Sequence, residues 1–183
     1  HCTCRRQRQM CIRDRCKNIS LKFPKFSKEK STKISKTLGE MVKISNPLDY
    51  HTFIWGNQKK MNELFVAICE KVNDLIIFVF DVPRNDRCDP TSFKCGIEAI
   101  IHAKKKTNAK IAVVSSISES MTEDLAEVFI KNQILPLGGL KTGLRAIELS
   151  NKSFLFSKKV DFIKVLLEKR VSQKKRRYLL EIY

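Results

Sequence analysis

No run of eighteen apolar residues occurs in this 183-residue chain, so no segment is long and apolar enough to read as a bilayer-spanning helix. The amino-terminal residues also lack the apolar core of a secretory signal. Neither GxGxxG nor GxxxxGK[ST] is present, which leaves no basis for a self-contained dinucleotide site or a P-loop. A G-x-S-x-G elbow is missing as well. Although Ser115 and Ser116 close an apolar run, no histidine and acid can be assigned to them, which argues against serine hydrolysis. Four of the seven cysteines (Cys2, Cys4, Cys11, Cys16) fall in the first sixteen residues, but no second Cys or Cys/His pair follows at zinc-ligand spacing.

What the chain has in excess is positive charge, and its distribution matters more than its total. Residues 1–16 carry five arginines against Asp14, and residues 151–183 carry ten Lys/Arg against three acids. Of the formal +17, therefore, +4 and +7 lie in the two ends and +6 in residues 17–150. Much of that +6 is lysine spread over helix surfaces, without a basic stripe interleaved with aromatics. A solvated surface accounts for it better than a nucleic-acid groove does. Residues 10–14 back-translate to ATG TGT ATA AGA GAC, a string like the transposon end used in preparing sequencing libraries. Residues 1–16 are accordingly expected to be translated adapter and are left out of fold reasoning. Cys69, Cys88 and Cys95 remain, scattered as reduced thiols of a cytosolic protein would be.

With 43% hydrophobic residues, the middle of the chain can bury a core. Ser27 can cap a polar helix stopped by Gly39, and residues 41–44 (MVKI) read as a short strand. From Asn57 to about Val72, Met61, Leu64, Phe65, Ile68 and Val72 recur at helical spacing. Residues 75–80 (LIIFVF) are apolar without alternation, the pattern of a strand in the middle of a parallel sheet. Asp89-Pro90 then predicts a helix start, with Phe93, Ile97, Ile100 and Ile101 facing inward and Lys104, Lys105 and Lys106 complementing the dipole at its far end. IAVVS (111–115) is a second buried strand. Ser120-x-x-Glu123 has the form of a capping box for a helix to about Lys131, and ILPL (134–137), a glycine pair and an amphipathic stretch (140–150) follow. Four strand–helix alternations between residues 41 and 150 predict an α/β three-layer sandwich with a parallel sheet, flavodoxin-like or Rossmann-like. Residues 17–150 form this domain, and 151–183 read as a basic linker with one amphipathic helix.

Ligands of such folds bind outside the carboxyl ends of the strands, which selects the loops at 45–57, 81–89 and 115–120. The middle loop, DVPRNDRCD, offers Arg84 and Arg87 and ends at a helix start, a combination suited to a phosphate or phosphorylated side chain. Asn46 and Asp49 suit either a strand-end turn or a site wall.

From about Asn18 to Ile147, the chain resembles the last α/β module of the acid–CoA ligase unit in nucleoside-diphosphate-forming acyl-CoA synthetases, the acetate–CoA ligase family. The resemblance runs through VKISNPLDYHTFIWGN, LIIFVFDVPRND, AKIAVVSSISESMTEDLAEVF and ILPLGGLKTGLRAIE. NPLD through RCD is also similar, more distantly, to the carboxy-terminal domain of the succinyl-CoA ligase β subunit. The resemblance implies a succinyl-CoA synthetase-like domain of a cytoplasmic enzyme. That enzyme interconverts acyl-CoA, ADP and phosphate with acid, CoA and ATP through a phosphohistidine, using CoA, ATP/ADP and Mg. This module would bind none of these alone and would carry no catalytic or metal-ligating residue. Its partners would be the CoA-binding, phosphohistidine and ATP-grasp domains of the same or another chain, with the ATP-grasp domain following the basic linker.

By position, Arg84, Asn85, Asp86, Asp89 and Thr91 would face the phosphohistidine, and Asn46, Asp49 and His51 would form the wall of the site. Where the β subunit has a glycine pair, this chain has Val82-Pro83, and Pro83 has no N–H to offer a phosphate. The family's phosphohistidine lies in an SHTG-type segment that this sequence does not contain, so His51 is assigned to the wall.

Two other classes compete with this reading. A phosphoacceptor receiver domain would use Asp81, but the acidic pair that binds Mg²⁺ and the lysine before the last strand-end proline are missing. A basic nucleic-acid-binding module would rely on the charged ends.

Overall fold

The computed structural model describes residues 12, 14, 16, 19–39, 42–49, 54–83, 89 and 91–154, except the side chain of Ser92. Two compact units divide the chain, residues 1–145 and 146–183.

The first unit is a mixed α/β layer structure with a small parallel sheet flanked by helices. Helix α1 (Lys28–Leu38) starts where extended Ser27 accepts the Lys30 N–H (3.2 Å), and it stops at Gly39, whose φ of 81° an L side chain rarely adopts. Ile34 and Leu38 are its buried residues. Helix α2 (Gln58–Cys69) is capped by Asn57, which accepts the Lys60 N–H at 3.0 Å. Met61, Leu64, Phe65, Ala67 and Cys69 form its buried side. It ends earlier than the apolar spacing predicts, because the chain turns through Lys71 at φ 53° before Val72 can join. Its final carbonyls are closed by Lys30, whose Nζ donates to Ile68 O (2.8 Å) and Glu70 O (2.7 Å). Partial burial lowers the Lys30 amine from its ordinary pKa.

Three strands, β1 (Leu75–Val79), β2 (Lys110–Val114) and β3 (Leu135–Leu137), form a parallel sheet in the order β1-β2-β3. Leu75 pairs with Lys110, and Ala112 with Leu135. Helix α3 (Lys94–Thr107) connects the first two strands and α4 (Glu123–Lys131) the last two. Successive side chains of a strand point to opposite faces, so the two faces can be assigned. Phe78, Phe80, Ile111 and Val113 share one core with Ile34, Phe65, Ile100 and Phe129 from α1, α2, α3 and α4. On the opposite face, residues 140–145 begin a helix. A Cβ on Gly143 would lie 2.9 Å from Val114 Cγ1 and 3.1 Å from Leu137 Cβ, so the glycine admits a close helix–sheet approach there.

Three local expectations need correction. Residues 42–45 form no strand; Val42 is buried and Ile44 packs on the core as an irregular tether, so the sheet has three strands among the described residues. With only a few residues between Gly39 and Pro47, that stretch has little room for a ladder, and a proline supplies no donor to one. The middle strand is β2, fully buried from Ile111 to Val114, whereas Leu75, Ile76, Ile77 and Val79 of β1 are half-buried at the sheet's side. Helix α4 is capped by Thr122, which accepts the Leu125 N–H (3.4 Å), and Ser120 lies in a preceding 3₁₀ turn, Ser118–Ser120.

Pro136 sits on β3, at the end of the strand order, where its missing N–H costs least. In the second unit, residues 146–154 are helical. Glu148 is 3% exposed and its carboxylate pairs with Lys152 Nζ at 2.7 Å.

Candidate functional site at the carboxyl edge of the sheet

Three distant stretches meet at the carboxyl end of β1. Trp55, from the WG dipeptide, stacks on Phe80 with ring centroids 5.8 Å apart and meets Phe93 edge-on at 5.4 Å. Phe80 and Phe93 complete the triangle at 6.3 Å. The aromatic trio joins the end of β1 at Phe80 to the turn that opens at Thr91. Close approach of Phe80 to α3 is possible because Gly96 lies beneath its ring: a Cβ there would come within 2.5 Å of Phe80 Cε2. This explains why the most buried positions of α3 are Gly96, Ala99, Ile100 and Ala103, while the expected inward residues Phe93, Ile97 and Ile101 are only half-buried against the core. Small side chains let α2 and the Phe80 ring come near, and Gln58 Nε2 on α2 donates to Cys95 O on α3 at 3.2 Å.

Above that base, the polar groups of the strand ends interlock. Asp81 Oδ1 accepts the Ser116 N–H at 2.6 Å, joining residues thirty-five apart in sequence. Ser115 is completely buried; its hydroxyl donates to Ile117 O (2.6 Å) and accepts the Gly139 N–H (3.2 Å). The Leu140 N–H donates to Ser116 O (3.2 Å). The ends of β1, β2 and β3 are thus linked through two serines.

Asp89 stands at the far end of the loop, exposed, and holds the next turn. Its carboxylate accepts both the N–H (2.9 Å) and the hydroxyl of Thr91, and these bonds lower its pKa from the ordinary aspartate value. Residues Thr91–Phe93 wind as a 3₁₀ turn, and the α-helix proper starts at Lys94 with Phe93 as a cap lacking a side-chain bond. Asp89 therefore caps as expected, but a turn ahead of the α-helix. The amide of Thr91 already holds a carboxylate, so an anion at this end must be met by other donors.

Arg84, Asn85, Asp86 and His51 lie outside the described residues. Of the remaining wall residues, Asn46 donates through Nδ2 to Pro24 O (3.0 Å), next to a cis Asn46-Pro47 bond, and Asp49 is half-buried. Asn46 fastens the 42–49 tether to the segment before α1. Among the described residues, no three His, Cys, Asp or Glu side chains gather as a metal would require, and no helix is long and apolar enough to cross a membrane. Burial pushes the Cys69 thiol up to about 12, which makes it a packing residue at neutral pH.

The Asp81–Ser116 link and the Phe80–Gly96 contact are the parts of the site that spacing alone misses. Their available signals are an acid directly after an all-apolar strand, a serine pair after the next, and a glycine within an amphipathic helix.

No family model matches this chain, and comparison with curated proteins finds no match either.

Proposed function

We propose that this chain is the ligase-CoA module of an NDP-forming acid–CoA ligase, a cytoplasmic enzyme that forms acid, CoA and ATP from acyl-CoA, ADP and phosphate through a phosphohistidine. The observation that carries the reading is the convergence at one edge of the stretches on which the resemblance rests: Trp55 of the WG dipeptide, Phe80-Asp81 at the end of β1, and Phe93 beyond Thr91. An edge of this kind, outside the carboxyl ends of parallel strands, is where open α/β sheets bind their ligands. Exposure of Asp89 and Thr91 supports it further.

In this reading the module contributes a surface and no reacting group. Arg84 and Asn85 would approach the phosphoryl group of a histidine borne by another domain, and Asp86, Asp89 and Thr91 would shape the loop that presents them. His51, Asn46 and Asp49 would belong to the wall. CoA, the nucleotide and Mg are assigned to the CoA-binding and ATP-grasp domains, which are the module's partners.

Reconstitution tests the proposal. The chain is mixed with separately produced CoA-binding, phosphohistidine and ATP-grasp domains of an acetate–CoA ligase, and ATP formation from acetyl-CoA, ADP and phosphate is followed. ATP formation that requires the chain, and that falls at least tenfold with Arg84→Ala, supports the assignment. Equal ATP formation with and without the chain refutes it.

A further inference from the structure

The bonds around Ser115 and Ser116 do more than close a loop. Backbone groups at the ends of parallel strands ordinarily face solvent, and each loop there can move by itself. Here one carboxylate from β1, one buried hydroxyl from the end of β2 and two amides after β3 converge on the same two residues. Ser115 is fixed by complete burial, with its hydroxyl both donating and accepting. Ser116, by contrast, is exposed, and the charged group that holds its N–H is Asp81. Asp81 also directly follows Phe80, against which Trp55 and Phe93 pack. Asp81 is thus held on two sides, by Ser116 and through its neighbour Phe80.

We propose that Asp81 is the positioning residue of this edge. Its carboxylate ties the root of the 81–91 loop to Ser116, and through Ser116 to Leu140, so that three strand ends present one preformed surface to the phosphoryl carrier. The identity of the carrier rests on the acid–CoA ligase reading, whereas the seam rests on the hydrogen bonds alone. The inference concerns order, and Asp81 itself transfers nothing. An asparagine at this position keeps an oxygen able to accept the Ser116 N–H, while an alanine leaves that amide to water. Preorganised surfaces bind with a smaller ordering cost, so releasing the loop's root weakens binding even though the groups that touch the carrier are unchanged.

The test compares the unaltered full chain with Asp81→Asn and Asp81→Ala by amide hydrogen exchange and by affinity. The probe is the phosphohistidine domain of an acetate–CoA ligase, phosphorylated on its histidine with phosphoramidate. In Asp81→Ala, exchange at Ser116 is expected to quicken at least tenfold, with a smaller increase at Leu140, and the carrier's Kd to rise about tenfold. Asp81→Asn should stay within threefold of the unaltered chain in both, a rescue that a general loss of stability would not produce. Unchanged Ser116 exchange in Asp81→Ala, or a Kd equal to that of the unaltered chain, overturns the proposal. If the unaltered chain does not bind the carrier, the acid–CoA ligase reading fails, and the exchange data still decide whether Asp81 orders the edge.

Discussion

Gly96→Ala is expected to destabilise the fold, although the same change at an ordinary helical position would stabilise it. Alanine gains about 1 kcal/mol over glycine inside a helix. Against this, the new Cβ would sit 2.5 Å from Phe80 Cε2 and 2.6 Å from Cζ, distances that force one side to move. The ring has little freedom to do so: Phe80 is 3% exposed, Trp55 stacks on it, Phe93 abuts it, and Trp55 Cη2 would itself lie 3.5 Å from the added methyl. If α3 moves instead, its contact with α2 through Gln58 and Cys95 is disturbed. Overpacking of a filled core typically costs about 1–3 kcal/mol, so the net loss should be about 1 kcal/mol, or roughly 3 °C in Tm. Urea unfolding followed by the fluorescence of Trp55, the chain's single tryptophan, reports on the same cluster. A Phe80→Leu background should reverse the sign, making Gly96→Ala neutral or stabilising, with a coupling of about 1–2 kcal/mol between the two sites. A Gly96→Ala protein at least as stable as the parent, with no coupling to Phe80→Leu, would show that the ring does not occupy the space above Gly96.

Other perturbations probe the remaining contacts. Phe65→Ala removes a fully buried ring packed 4.7 Å from Phe78 and should cost about 3–5 kcal/mol in denaturant unfolding; a loss below about 1 kcal/mol would contradict that burial. Ser27→Ala deletes the α1 cap and should cost about 1 kcal/mol, while Ser27→Asp restores it, as measured by thermal melting. Cys69 keeps its proton in the folded chain up to about pH 12, whereas in the unfolded chain it ionises nearer pH 9. Its contribution to stability is therefore complete below the unfolded value and lost as pH rises through that window, a decline that Cys69→Ala should reduce.

Much of the architecture was legible because its signals are local. Ser27 and Asn57 cap as predicted, Gly39 ends α1, and the apolar runs at 75–80 and 111–115 became β1 and β2. Where local patterns compete, the outcome depended on tertiary partners. Ser120-x-x-Glu123 has capping-box spacing, yet Thr122 stands directly before the helix and caps it. Residues 41–44 carry a strand-like composition, but a strand needs a neighbour, and Val42 is instead buried as part of an irregular tether. Both apolar runs look equally suited to the centre of a sheet, and only the pairing puts β2 there.

The site divides in the same way. Asp89 was recognisable as a cap from its place before Pro90 and Thr91, whereas its spending the Thr91 amide on its own carboxylate could be seen only in three dimensions. Asp81 and Ser116 lie on separate loops, and no spacing rule links them; parallel pairing of Val79 with Val114 is what brings the residues just beyond each strand side by side.

If, as proposed, this carboxyl edge receives a phosphoryl carrier from another domain, binding will perturb the residues at the strand ends. Amide chemical-shift mapping of the full chain, titrated with the phosphohistidine domain of an acetate–CoA ligase, reads this out. Saturable shifts concentrated at Asp81, Thr91 and Ser116 are expected, larger for the phosphorylated carrier than for the unphosphorylated one. Shifts confined to the opposite edge, around Leu75 and Lys110, or none at saturating carrier, would contradict it.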